Sequence, residues 1–163
     1  MKITTLIGPL CSGKTFRLNN DYQSAIRIDV GDIVRSIKQK EERIFDAALD
    51  MHINAELGIQ IRKAVDEKKD LVIAGIRQLS IIITAELIIK ALALSPKNKI
   101  QYTRIFLNID TSIRKQRFIS RESSKDNNLT FEEIEKRDNR LGLQQLQNYC
   151  LIADRTNTTI INS

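Results

Sequence analysis

Gly8-Pro9-Leu10-Cys11-Ser12-Gly13-Lys14-Thr15 is the stretch that decides the fold; it follows the apolar run Ile3-Thr4-Thr5-Leu6-Ile7 and opens a helical pattern ending at Asn19-Asn20. A G-x-x-x-x-G-K-[ST] spacing between a strand and a helix is the pattern of a loop that cradles phosphate. Its glycines let the backbone curl so that successive N–H groups point at phosphate oxygens, and the following helix adds the positive end of its dipole. Gly8, Cys11, Ser12, Gly13, Lys14 and Thr15 form the expected phosphate-binding set. Lys14 is expected to reach the β and γ phosphates of ATP, and the Thr15 hydroxyl to hold Mg²⁺.

Outward from the loop, strands are predicted at residues 3–8, 25–29, 71–75, 103–109 and 158–162, each a short run rich in β-branched residues. Helices are predicted over 13–20, 32–40, 55–68, 79–94, 112–121 and 130–152, the last with a break at Gly142. Alternation of this kind makes an α/β fold: a five-stranded parallel sheet flanked by helices in three layers. More chain separates the second and third strands than one crossover helix needs, so residues 31–68 are expected to form a small helical insert over the sheet's carboxyl edge. Asp110-Thr111-Ser112 and Thr130-Phe131-Glu132-Glu133 read as helix starts, the second a capping box. The segment between these two starts, Glu122 to Leu129, is polar. Ile81-Ile82-Ile83 and Ile88-Ile89 are expected to be the core face of their helix.

Composition narrows the function. The chain of 163 residues carries 42% hydrophobic and 28% charged residues, enough for a single domain, 1–163, with its own core. Glu86 and Lys90 interrupt the longest apolar stretch, so no membrane span is expected. Two cysteines, Cys11 and Cys150, and one histidine, His52, offer neither a disulfide framework nor a Cys/His metal cluster, and a reducing, cytoplasmic setting is expected. A net charge of +6 points to an anionic partner. Aromatic residues are 5% with no Trp, too few to stack on nucleic-acid bases or anchor at a bilayer, so small nucleotides are the expected partners of what is taken to be a monomer.

Asp29-Val30-Gly31-Asp32-Ile33-Val34-Arg35 follows the second strand and Ala74-Gly75-Ile76-Arg77-Gln78 the third. Together with the phosphate loop they resemble the nucleoside monophosphate kinases, adenylate kinase in particular, a family with the P-loop NTPase fold. Gly31, Asp32 and Arg35 are similar to that family's T-G-D-x-x-R segment, and Gly75 and Arg77 to a shortened D-G-F-P-R-T segment. Arg117-Phe118-Ile119-Ser120-Arg121 resembles the R-x-x-x-R that begins its lid. Lys125-Asp126-Asn127 and Arg137 resemble the residues that close it, which implies a short lid at 122–137, and Ala153-Asp154 with Thr158 to Asn162 resemble its last strand. The likeness is collinear over nearly the whole chain.

The resemblance implies an ATP- and Mg²⁺-dependent nucleotide kinase. Arg35 and Arg77 would hold the acceptor phosphate, with Gly75 and Gln78 beside them. Arg117 would lie over the base or phosphates of ATP, Arg121 and Arg137 would screen the transferring group, and Asp32 would join Thr15 at the metal. Two departures count against a simple transfer of roles: Ala74 stands where the family places an acid that organises the magnesium waters, and Gln78 lies too close to Arg77 to inherit the family's adenine-reading role. The chain is also similar to dephospho-coenzyme A kinases, in which an acid placed like Asp29 activates a hydroxyl. A phosphate acceptor is ionised near neutral pH, whereas a hydroxyl acceptor benefits from such a base. A nucleoside or deoxynucleoside monophosphate kinase is the first reading and a hydroxyl kinase the second. A nucleotide-binding module without transfer activity is the third.

Overall fold

In the computed structural model, residues 1–38, 47–120, 129–152 and 157–162 are described. Five strands alternate with helices as expected: β1 (Lys2–Ile7), α1 (Lys14–Asn20), β2 (Ile26–Asp29), α2 (Val30–Lys38), α3 (Ala47–Asp66), β3 (Leu71–Ala74), α4 (Leu79–Ala93), β4 (Gln101–Asn108), α5 (Thr111–Ile119), α6 (Phe131–Arg140), α7 (Leu143–Ile152) and β5 (Thr158–Asn162). The sheet is all parallel, in the order β2-β3-β1-β4-β5.

Side-chain alternation along the strands builds the layers. Ile3 and Ile7 of β1 and Leu71 and Ile73 of β3 point into the larger core, with Leu57 and Ile61 of α3, Ile82 and Ile89 of α4, and Leu146 of α7. Leu6, Val72 and Ala74 point the other way, onto Leu18 of α1. A third cluster joins Leu10 of the glycine loop to Phe131 and Ile134 of α6. Burial on both faces is what continuous apolar runs such as Leu71-Val72-Ile73-Ala74 require.

Two expectations shift. α3 begins at Ala47, not Ala55, because Leu49 and Ile53 continue the buried row of Leu57 and Ile61 toward the N-terminus. The stretch 130–152 breaks at Gly142 as expected, into two helices with that residue in the left-handed region at φ 94 between them. Ile81, Ile82 and Ile89 are core residues, but Ile83 faces outward. Of the stretch expected to form an insert, 39–46 lies outside the described residues, as do 122–128 of the expected lid. Among the described residues no helix is long and apolar enough to cross a membrane.

The strand order also locates a site. β3 and β1 are neighbours, yet the chain leaves β1 for β2 beyond β3, and leaves β3 for β4 beyond β1. Connections that depart in opposite directions open a crevice at the carboxyl ends of the two strands, where open α/β sheets bind ligands. The loops after Ile7 and Ala74 both emerge there.

Candidate phosphate-binding and phosphoryl-transfer site

Gly8 leaves β1 in close contact with β4: a β-carbon there would stand 2.8 Å from the Leu107 carbonyl oxygen and 2.8 Å from Ser12 Oγ. Cys11 and Gly13 are both left-handed, at φ 56 and 95, and they curl the loop into α1. The Lys14 ammonium folds back into this curl, donating to the carbonyl oxygens of Gly8 at 2.7 Å and Pro9 at 2.6 Å and to Ser12 Oγ at 3.2 Å. Withdrawal from water, and then the Arg77 guanidinium, lower its pKa to about 7, while Asp138 and Asp29 pull the other way. Lys14 is thus the electrostatic centre on which groups from three parts of the chain act.

At the carboxyl ends of β2 and β3, Asp29 stands opposite Ala74. Asp29 Oδ1 accepts the Gly31 N–H at 2.8 Å and packs against Gly75, whose φ of +81 turns the chain toward Arg77. Arg35 lies over Gly31 and pairs with Asp32 one turn earlier, both on the surface. An exposed pair of this kind is worth only about 0.2–1 kcal/mol, so an incoming anion can take Asp32's place on Arg35.

On the opposite rim, Arg117 donates from Nη1 to the Cys11 carbonyl oxygen at 3.4 Å. Arg114, one turn earlier, is buried. It reaches the carbonyl oxygens of Ile109 at 3.2 Å and Leu10 at 3.5 Å, pairs with Glu135 of α6 at 2.7 Å, and lies 5.5 Å over the Phe131 ring. With Lys115–Glu132 and the edge-on Phe118–Phe131 contact, it docks α6 onto the loop. The capping box of Thr130 and Glu133 starts α6 as expected.

α6 then carries two residues into the site. Asp138 accepts from Arg77 Nη1 at 2.7 Å across 61 positions of sequence, and its Oδ1 lies 3.7 Å from Arg137 Nε. That Nε is buried without a hydrogen-bond partner.

The structure therefore brings Lys14, Asp29, Gly75, Arg77, Arg137 and Arg117 around one loop, while Asp32 and Arg35 sit together farther out on α2. Gln78 is the N-cap residue of α4 and makes no side-chain capping bond. Arg121 lies outside the described residues. Asp138 was not singled out from the sequence, although a signal is present: Phe131, Ile134 and Asp138 share the buried stripe of α6 at i, i+3 and i+7, and an acid on such a stripe needs a partner. Arg114, not singled out from the sequence either, is a structural residue.

Mg²⁺ suits this donor set only as a partner of phosphate. Among the described residues no group of three His, Cys, Asp or Glu could enclose a metal ion, and Ala74 adds no carboxylate. Mg²⁺ commonly keeps its waters and takes substrate phosphates with one or two protein oxygens, such as the exposed Thr15 hydroxyl at the start of α1. Asp32 is engaged with Arg35, and Asp29, with Asp138, acts on Lys14.

No family model matches this sequence, and no curated protein does. The fold is similar to solved structures. An unliganded sugar kinase from Janibacter sp. HTCC2649 superposes with a TM-score of 0.58 at 12% identity, over 99% of this chain and 85% of that one. A chain of the Pnkp1/Rnl/Hen1 RNA repair complex gives 0.57 at 12% identity, over 90% of this chain and 45% of that one. An uncharacterized protein from Eubacterium ventriosum ATCC 27560 gives 0.56 at 15% identity, over 99% and 89%. At these identities the likeness is one of fold, an α/β parallel sheet with flanking helices.

Proposed function

We propose that this chain is an ATP-dependent phosphotransferase acting on a small acceptor, with a nucleoside or deoxynucleoside monophosphate as the first choice. One arrangement carries the reading: Arg77, from the loop after β3, is bonded at 2.7 Å to Asp138 of α6, the helix packed on the glycine loop through Leu10, and so stands where its charge acts on the ammonium of Lys14. A cation from the acceptor side beside the phosphate lysine is the arrangement phosphoryl transfer asks of a protein, since the reaction needs in-line positioning and positive charge around the equatorial oxygens. The sugar kinase among the similar folds is consistent with it.

The backbone of residues 8–13 and Lys14 bind the β and γ phosphates, and Arg117 closes the far rim of the loop. Arg77 and Arg35 hold the anionic end of the acceptor, and Arg137 and Arg121 screen the transferring group. Mg²⁺ on the ATP phosphates, held by Thr15, supplies charge neutralisation when bound. Exclusion of water from the site makes the acceptor, and not water, the group that is phosphorylated.

Asp29 supports a second reading, a hydroxyl acceptor, of which dephospho-coenzyme A is the first to test. One of its oxygens is anchored by the Gly31 N–H and the carboxylate acts on Lys14, as a base beside the transferred group must.

ATP consumption with magnesium, measured across ribo- and deoxyribonucleoside monophosphates and dephospho-coenzyme A, tests both. Turnover on one monophosphate, reduced by several orders of magnitude in Lys14→Ala, establishes the first reading. Turnover on the hydroxyl acceptor alone, abolished in Asp29→Asn, establishes the second. ATP bound with no acceptor consumed would make the chain a nucleotide-binding module and overturn both.

A further inference from the structure

A buried carboxylate between two arginines of the site has a role that the loop chemistry does not explain. Asp138 is 2% exposed, and α6 sets it against Arg77 of the loop after β3. Its Oδ1 takes Arg77 Nη1 at 2.7 Å and lies 3.7 Å from Arg137 Nε, so one oxygen serves a guanidinium from each side. A buried charge without a partner is strongly unfavourable, so Asp138 and Arg77 hold one another wherever α6 is docked. α6 is docked on the phosphate loop itself, through Arg114–Glu135 and the Leu10, Phe131 and Ile134 cluster. Arg77 is thereby tied to the loop that carries Lys14, although it follows β3 in the chain.

The tie uses a single nitrogen. Nη1 is the one Arg77 atom with a hydrogen-bond partner among the described residues, and the side chain stays 37% exposed. The guanidinium is held at one corner, with its other donors left for the paired oxygens of an anionic acceptor group, which planar guanidinium binds in fork geometry.

We propose that Asp138 is a positioning residue for the acceptor: it fixes the Arg77 guanidinium relative to the phosphate loop, and through Arg77 it sets the affinity for the acceptor's anionic group. This rests on the phosphoryl-transfer reading for its kinetic consequence, but not for the contact itself. Asp138 does not touch either substrate, so its effect on the acceptor passes through Arg77; its charge also acts on Lys14, separately.

The test compares Asp138→Asn, Arg77→Gln and the double variant with the wild type, using ATP and whichever acceptor of the panel is turned over. In Asp138→Asn, measured at about pH 6 so that Lys14 keeps its charge, kcat/KM for the acceptor is expected to fall about 10- to 100-fold, the range that loss of a charged hydrogen bond predicts, while KM for ATP stays within about twofold. The double variant is expected to be no worse than Arg77→Gln alone. Equal losses on both substrates, or losses that multiply in the double variant, would show a merely structural residue and overturn the proposal. Asp138→Glu provides a variant that keeps the buried charge should Asp138→Asn fail to fold. With its carboxylate displaced by one methylene, it is expected to lower acceptor kcat/KM with little change in Tm, and wild-type acceptor kinetics in it would count against the proposal.

If no acceptor is turned over even by the wild type, it is the functional reading that has failed, and the contact is then read directly. The Arg77 Nε–H resonance, assigned by its loss in Arg77→Gln, is expected to be dispersed in the wild type and to move to the free-arginine position in Asp138→Asn, or to shift in Asp138→Glu. An unmoved resonance would overturn the proposal whatever the protein's activity.

Discussion

A β-carbon on Gly75 would lie 2.4 Å from Asp29 Oδ1, closer than such atoms approach, and Gly75 itself is at φ +81. The end of β3 is therefore shaped around a carboxylate at the end of β2, and the two loops meet at the mouth of the crevice. Gly75→Ala has to move Asp29, which also holds the Gly31 N–H at 2.8 Å, and has to adopt a left-handed backbone that costs a non-glycine residue roughly 1–3 kcal/mol. It is expected to lower Tm and to cut acceptor turnover by at least about tenfold, an effect that steady-state kinetics and a thermal melt will read together. Adding Asp29→Ala removes the clash but not the backbone strain, so the double variant should recover part of the stability and none of the turnover on a hydroxyl acceptor.

The Lys14 ammonium, lowered to about 7 from 10.5, gives nucleotide binding a pH dependence whose sign is set. Bound phosphate favours the charged lysine, so above pH 7 ATP binding takes up a proton and affinity falls with rising pH, by at most about tenfold per unit. Calorimetry at pH 8 in buffers of different ionisation heat should find uptake approaching one proton; Lys14→Arg, always charged, should show none of this share. The same lowering makes the empty protein gain stability as pH rises from 7 toward about 8, because the folded chain binds fewer protons than the unfolded chain there; at higher pH Cys150, Tyr102 and Tyr149, all pushed up by burial, begin to oppose it. A melt series with flat stability there would contradict the assignment.

Much of this was legible in the sequence because its signals are local. The glycine loop, the five β-branched runs and the Thr130 capping box each declare themselves within a few residues, and the strands, the fold class and the loop followed. The start of α3 was hidden by Met51 and His52, which interrupt the apolar run although Leu49 and Ile53 keep its spacing. Asp138 and Arg114 were hidden for a different reason. Each is a buried charge whose partner lies far along the chain, Arg77 for one and the Leu10 carbonyl for the other, and a charge among charges reads as a solvated face until the fold closes. The residues of the loops after β2 and β3 were legible as a set, and the pairing of Arg77 with Asp138 was not.

Glu86 shows the same principle in the core. Its carboxylate accepts from Arg104 Nε at 2.9 Å and from the Tyr102 and Tyr149 hydroxyls at 2.7 and 2.6 Å, with both charged side chains about 5% exposed or less. Burial and Glu86 push both phenols up, Tyr149 to about 12, so the two hydroxyls keep their protons throughout the physiological range. Glu86→Gln leaves Arg104 buried without a counter-charge and is expected to cost about 3–5 kcal/mol, lowering Tm by roughly 10 °C or more. The cluster joins α4, β4 and α7, away from the glycine loop, so ATP affinity measured well below the melt should stay within about twofold of wild type.

Arg114 provides the converse case, a buried charge whose loss reaches the loop. Its guanidinium holds the carbonyl oxygens of Leu10 and Ile109 and the Thr111 hydroxyl while pairing with Glu135, so it binds β4's exit, the loop and α6 into one unit. Arg114→Ala removes the pair and leaves the Leu10 carbonyl without that donor, and α6 loses its main polar tie. A fall in stability of about 2–4 kcal/mol is expected, together with a several-fold weaker affinity for ATP, because the loop backbone is no longer braced. Arg114→Lys should rescue little of either, since a single ammonium cannot reach acceptors on opposite sides of a planar fork. Titration of both variants with ATP separates this account from simple charge loss: if the lysine restores nucleotide affinity, positive charge near the loop is what matters and the bracing argument fails.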